Sequence, residues 1–349
     1  MNSALEFNWP IVGHDSIKKF LQTSAINMGL SHAYLFYGPS KVGKTLTARL
    51  FAKTVLCDNY KKFSLVEKID HNLSVPCGVC PVCSQFEKGI HADFHVVDRE
   101  ENEKTGKMKT AISVLQIREL TEKISKRSFQ NSYKIIIIPE AHLLNQEAAN
   151  CLLKTLEEPS PRTIIILISP SKELLLPTIL SRCQQLKFLA VRREEIYDYL
   201  LEQGANHSEA LEFAGISEGR PTVAMNFFHH REKFDEHKSK ARFWWDFLLA
   251  DASNRFRLIE KMVADDEAAD ELPERLDQLS GLARDLWLMK NYQDDLICHV
   301  YLKDELKTSE SKFNNKQISC LLRQVEETKK YLRMNVNSRL ALENLALSI

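Results

Sequence analysis

The feature that most narrows the possible folds is an apolar run, Ala33-Tyr-Leu-Phe-Tyr37, that passes directly into Gly38-Pro39-Ser40-Lys41-Val42-Gly43-Lys44-Thr45. The octet fits the pattern G-x-x-x-x-G-K-[ST], and each fixed residue has a chemical reason. Gly38 and Gly43 let backbone N–H groups curl around phosphate oxygens, Lys44 brings a point charge to the β- and γ-phosphates, and Thr45 offers a hydroxyl to magnesium. Residues 45–57, with Leu46, Leu50, Phe51 and Val55 facing inward, predict a helix whose positive end points at the same anion. A strand before the loop and a helix after it is the context the motif requires. ATP or ADP with magnesium is the ligand such a loop is built for, although a loop of this kind can also be inherited and empty.

Around the loop the chain alternates between helix and strand signals. Ile17, Phe20, Leu21, Ala25 and Met28 repeat at helical spacing, as do Ile117, Leu120 and Ile124. Lys134-Ile-Ile-Ile-Ile138 and residues 163–168 are apolar throughout, as parallel strands covered on both faces are. Asn145 is an N-cap candidate for a helix carrying Ala149, Leu152, Leu153 and Leu156, which Pro159 stops. Residues 58–110 read as irregular. The alternation predicts an α/β fold, a parallel sheet flanked by helices.

A chain of 349 residues exceeds one ordinary domain, and strand signals stop near residue 190. The expected division is an α/β P-loop domain over 1–188 with a zinc knuckle insert at 57–83, a small helical lid domain over 189–235, and an all-α domain over 236–349. In the last, Leu276, Leu279, Leu282, Leu286 and Trp287 form a stripe, and with Trp244, Trp245 and Tyr331 they predict helix–helix packing.

A P-loop ATPase ordinarily ends a second buried strand in an acidic pair, an aspartate that orients magnesium and a glutamate that polarises water. Here the strand ends in Pro139-Glu140-Ala141-His142. Glu140 stands at the glutamate position and Pro139 at the aspartate position, where proline cannot hold a metal-bound water. Hydrolysis by this chain is therefore expected to be weak or absent. The other register, with Glu140 in the aspartate role, is open.

Four of the eight cysteines, Cys57, Cys77, Cys80 and Cys83, gather around one Pro/Gly-rich knuckle. Four thiolates suit tetrahedral zinc and leave no open coordination position, so a structural ion is expected. His71 or His91 could stand in for Cys57. Lys+Arg and Asp+Glu both number 47, so there is no basic excess for tight DNA binding by the chain alone. Lys123, Lys126 and Arg127 form a local basic face that could meet phosphates or simply be solvated. No apolar run suits a bilayer and no secretory signal opens the chain, so a cytoplasmic location is expected.

The order of these motifs resembles the bacterial clamp-loader subunits of the AAA+ superfamily, the group that includes delta-prime and tau/gamma. The matching segments are Ile11-Val-Gly13-His14, Ser31-His32-Ala33-Tyr34-Leu35-Phe36 before the loop, and the knuckle placed directly after the loop's helix. Further matches are Glu147-Ala-Ala-Asn150-Cys-Leu-Leu-Lys154-Thr-Leu-Glu157-Glu158-Pro159, then Ser181-Arg182-Cys183, and near the end Arg284-Asp285-Leu-Trp-Leu and Asn335-Val-Asn337-Ser-Arg339-Leu-Ala-Leu-Glu343-Asn344-Leu. The resemblance implies that 236–349 is a collar joining subunits into a hetero-oligomeric ring. It implies that Arg182 is a finger acting in trans on ATP held by a neighbouring subunit, and that Ser169 is at the sensor-1 position, where a plain strand-end serine is the other reading. The segment Glu218-Gly219-Arg220-Pro221-Thr-Val-Ala224 is similar to the sensor-2 region but lacks the motor subunits' arginine near Val223.

The implied function is a stationary delta-prime-type subunit, with tau/gamma and delta partners, that helps load the beta sliding clamp onto primed DNA in replication. It would act within a DNA polymerase III nucleotidyltransferase complex. A tau/gamma-type hydrolysing motor is the alternative, and a nucleic-acid-binding zinc module a third reading.

Overall fold

The computed structural model describes residues 5–65, 73–101, 106, 108–125, 133–263, 266–334 and 336–349. His71, Lys126, Arg127 and Asn335 lie outside the described residues. The chain divides into two compact units, one of residues 1–195 with 220–222, the other of residues 196–219 with 223–349.

The first unit holds β1 (Leu5–Phe7), α1 (Asp15–Ile26), β2 (Ala33–Tyr37), α2 (Lys44–Leu56), α3 (Asp58–Leu65), β3 (Leu73–Val75), α4 (Pro81–Glu87), β4 (Phe94–Val96), α5 (Val114–Ser125), β5 (Lys134–Ile138), α6 (Gln146–Glu157), β6 (Thr163–Ser169), α7 (Pro177–Leu180) and β7 (Gln184–Lys187). Five strands form one sheet in the order β4-β5-β6-β2-β7, every pair parallel. The side-chain period of two divides the apolar strands cleanly. Tyr34, Phe36, Ile135, Ile137, Ile164, Ile166 and Ile168 enter one core with α1 and α2. Ala33, Leu35, Ile136, Ile138, Ile165 and Leu167 enter the other with α5 and α6. Burial on both faces explains why these strands read as unbroken apolar runs.

Lys134 is the exception at the start of β5. It is buried, and its Nζ donates to the Ile124 carbonyl at 2.6 Å, satisfying an orphan acceptor at the end of α5.

The described residues between 58 and 110 hold more regular structure than their composition suggests. They carry α3, β3, α4 and β4, and β3 pairs in parallel with β1. The strands here are three residues long, too short for a period-two pattern to stand out among prolines and glycines. On α2, Leu46 is not inward but 45% exposed, and Met28 lies beyond the end of α1 in the left-handed region.

The second unit takes in most of α8 (Arg193–Glu202), then α9 (His207–Ile216), α10 (Pro221–His229), α11 (Arg231–Leu249), α12 (Ala252–Val263), α13 (Asp266–Lys290), α14 (Lys303–Ser309), α15 (Asn315–Arg333) and α16 (Ser338–Leu347). Trp244, Trp245, Leu276, Leu279, Leu282 and Leu286 share one core with Leu321, Val325, Leu342 and Leu345, so the packing expected of the leucine stripe is present. Trp287 remains 42% exposed. Among the described residues no helix is long and apolar enough to cross a membrane.

Candidate nucleotide site and four-cysteine centre

A parallel sheet gathers the carboxyl ends of its strands along one edge, which is where such folds bind ligands. Gly38 follows β2, Pro139 and Glu140 follow β5, and Ser169 ends β6. The register sets Tyr37 beside Ser169, and the Gly38 N–H donates to the Ser169 carbonyl at 3.3 Å. Gly38 has φ +143°, and a Cβ there would collide with the Phe188 carbonyl, so only glycine fits. Gly43 caps α2 with φ +103°.

The loop's carbonyls are tied from outside. His14 Nε2 donates to the Val42 carbonyl at 2.9 Å, and the Thr222 N–H donates to the Lys41 carbonyl at 3.3 Å. Holding the carbonyls outward leaves the amides at the start of α2, which have no intrahelical acceptor, available to an anion. Lys44 is only 7% exposed, and its ammonium donates to the carbonyls of Gly38 at 2.6 Å and Pro39 at 2.5 Å. Burial pushes its pKa down to about 8. Thr45 is exposed at the loop's mouth.

Glu140 sits just past β5, where its carboxylate takes a two-point contact from Arg99: Nε to Oε2 at 2.7 Å and Nη2 to Oε1 at 3.4 Å. Burial, and then Glu140, raise the Asp98 carboxyl above its usual range, so a second acid lies near this pair. Burial lowers the pKa of His142, whose Nδ1 is buried without a hydrogen-bond partner. Asp98 and Arg99 were missed by sequence reasoning because they follow β4, inside the stretch read as irregular. Ser169 is fully buried and donates its hydroxyl to the Ser171 carbonyl at 2.6 Å. Arg182 follows α7 and is held by Glu157 at 2.7 Å, the Thr178 carbonyl at 2.9 Å and the Ser181 hydroxyl at 3.2 Å.

The four cysteines come together. The sulfurs of Cys57, Cys77, Cys80 and Cys83 all lie within 4.8 Å of one another. A tetrahedral ion with metal–sulfur bonds of about 2.3 Å needs sulfurs about 3.8 Å apart, so the cage fits a single ion and can hold one. Backbone N–H groups of Cys77, Cys80 and Cys83 donate to the sulfurs of Cys57, Cys77 and Cys80, each at 3.4 Å, as a ring of negatively charged sulfurs requires. A hydrogen bond from the Cys83 thiol to the Cys57 sulfur is the main reason the Cys57 thiol drops to about 5, and the same hydrogen bond raises Cys83. Cys57 caps the end of α2, and Cys80 caps the start of α4. His91 lies outside the group, and its Nδ1 accepts from the Asp93 N–H instead.

These parts define a P-loop α/β unit with a four-cysteine insert that could hold a metal ion, and an all-helical unit. The family model described as "DNA polymerase III, delta subunit" matches residues 13–192, and the chain belongs to that family. Over 336 residues it is 28% identical to the DNA polymerase III subunit delta' of Bacillus subtilis, a match covering 95% of both chains. It is 34% identical to the subunit delta' of Pseudomonas aeruginosa over 56% of this chain and 55% of the relative. Against the subunit tau of Bacillus subtilis it is 34% identical, over 53% of this chain and 30% of the relative.

Proposed function

We propose that this chain works as the delta-prime-type subunit of a DNA polymerase III clamp loader, in a ring with tau/gamma and delta subunits that places the beta clamp on primed DNA at the nucleoid. The observation that carries this reading is the reach of the likeness. The match to a delta' subunit runs through the helical unit, whereas the match to a tau subunit covers about half of this chain. Residues 189–235 would serve as lid and 236–349 as collar.

In this reading the chain has two phosphate-directed parts with unequal duties. The loop from Gly38 to Thr45 would hold ATP or ADP with magnesium; only ATP carries the γ-phosphate that hydrolysis would release. Lys44 would give up its bonds to Gly38 and Pro39 in favour of phosphate oxygens. Ser169 would sense the nucleotide's presence through the Gly38 amide it accepts from. Turnover at this loop is disfavoured because Pro139 offers no metal-orienting carboxylate, and because Arg99 competes with water for the Glu140 carboxylate. The active contribution would be Arg182, offered to ATP on a neighbouring subunit, where a cation stabilises the charge that develops on the transferred phosphoryl group. The cysteine cage would hold zinc, a closed site with a folding rather than a catalytic duty.

The test is steady-state ATP hydrolysis by the full chain alone, then with tau/gamma, delta, clamp and primed DNA. Silence alone and Arg182-dependent turnover in the mixture support the reading. Turnover by the chain alone, abolished by Lys44→Ala, would make it a tau/gamma-type motor instead.

A further inference from the structure

We infer that Glu157 is the positioning residue for Arg182, an inference that rests on the finger reading proposed above. Arg182 carries five N–H donors. Three are engaged within the chain: Nη1 donates to the Thr178 carbonyl and the Ser181 hydroxyl, and Nη2 meets Glu157 Oε1 at 2.7 Å. Among the described residues the other two meet no acceptor, which leaves them for one outside the chain. Without Glu157 the guanidinium would keep only the two bonds to its own turn, both on one nitrogen, and would swing about the Nη1 end.

Both partners are fixed from below. Glu157 ends α6, whose preceding residue Leu156 is buried in the same core as Ile179 of α7. Arg182 in turn donates its backbone N–H to the Ile179 carbonyl at 3.1 Å. The carboxylate and the guanidinium are therefore anchored to one packed surface, while their heads stay in solvent contact, Arg182 at 34% and Glu157 at 49% exposure. The end of α6 adds its own negative pole to that of the carboxylate. A half-exposed pair like this one is strong enough to bias an orientation and weak enough to be kept or exchanged when phosphate approaches. Its role is to hold the fork ready, which lowers the ordering cost of engaging a neighbour's phosphate.

The experiment uses the full chain reconstituted with its partner subunits, clamp and primed DNA, with assembly and thermal melting checked for each variant. Glu157→Ala should lower the turnover number of the assembled complex about two- to fivefold, the range a pair of this exposure supports, with KM for ATP unchanged. Glu157→Gln, which keeps an acceptor oxygen at the same reach, should retain more turnover than Glu157→Ala. In an Arg182→Ala background, Glu157→Ala should have no further effect, because its action passes through the arginine. Unchanged or increased turnover in Glu157→Ala, or an equal loss in the Arg182→Ala background, would overturn the inference while leaving the finger intact. If Arg182→Ala itself left turnover unchanged, the finger reading would fall and the positioning role with it.

Discussion

Lys44 and Arg182 are the two cations to which the proposed function assigns a phosphate, and their surroundings are opposite. Lys44 is buried against its own loop, satisfied by two carbonyls, with its charge discouraged by burial. Arg182 is one-third exposed and retains donors that no described residue takes. A buried lysine suits a ligand that stays, since ammonium and phosphate are strong partners once water is excluded. An outward arginine suits a ligand presented by another molecule, where its planar fork gives direction as well as charge. The loop follows the carboxyl end of β2 and Arg182 precedes the amino end of the parallel strand β7, so one sheet carries a site turned inward and a site turned outward at opposite edges, and the two can be broken separately.

The largest expected effect is on the outward side. Arg182→Ala should slow turnover at the neighbouring ATP site by about 10²–10³-fold, the usual loss when a preorganised transition-state donor is removed. Assembly should be spared, because the residue's own contacts are a half-exposed pair and two short-range bonds. Single-turnover hydrolysis in the reconstituted complex checks this, and normal rates would show that the outward donors meet no phosphate. Metal removal acts on the inward side. Cys57 ends the helix that Lys44 begins, so chelation should loosen the loop as well as the knuckle. Structural zinc contributes folding free energy directly. We expect the melting temperature of the first unit to fall by more than about 10 °C, with nucleotide affinity falling alongside it. An unchanged melting curve after verified removal would sink the structural role.

The inward site was largely legible in the sequence, and the outward one only by resemblance. The loop announces itself because Gly38, Gly43, Lys44 and Thr45 are each required by local backbone geometry and phosphate chemistry, and the apolar runs of β2, β5 and β6 follow from burial on both faces. The four cysteines were legible because three of them recur at the short C-x-x-C spacing that suits metal ligation. What sequence could not supply was pairing between distant positions. Glu140 could be placed at a strand end, but its engagement by Arg99, 41 residues earlier, depends on β4 lying beside β5. Glu157 likewise meets Arg182 only because α6 and α7 share a core. Charged surface residues carry no periodic signal of their partners. Leu46 was misplaced for a related reason: helical spacing fixes a stripe, but not how much of its rim the neighbouring elements cover.

Protonation separates the two cations further. Lys44 titrates near 8 in the folded chain, against an ordinary value of 10.5. Between these values the unfolded chain binds the extra proton, so the stability of the nucleotide-free protein should rise with pH across that window. Bound phosphate favours the ammonium, so nucleotide affinity should be full below about pH 8 and then fall, by at most about tenfold per pH unit. Lys44→Met should remove both trends, which equilibrium nucleotide binding and denaturant unfolding at pH 7.5 and 9.5 would detect. The effect of Arg182 on the neighbouring site does not pass through Lys44 and should not follow the same profile. Affinity that rose with pH would mean that the ammonium is not the phosphate's partner.

The smallest expected effect is the most diagnostic. Lys44→Ala removes the charge at the inward site and should abolish nucleotide retention there. Loading of clamps by the reconstituted complex should nonetheless stay within about twofold of the unmodified rate, because the energy of loading would come from sites that Arg182 reaches and Lys44 does not. The expectation depends on Pro139 and the Arg99-held Glu140 already having silenced the inward loop. A loss of loading as deep as that of Arg182→Ala, with assembly intact, would mean that nucleotide at this loop sets the geometry in which Arg182 is delivered, making the two sites parts of one device.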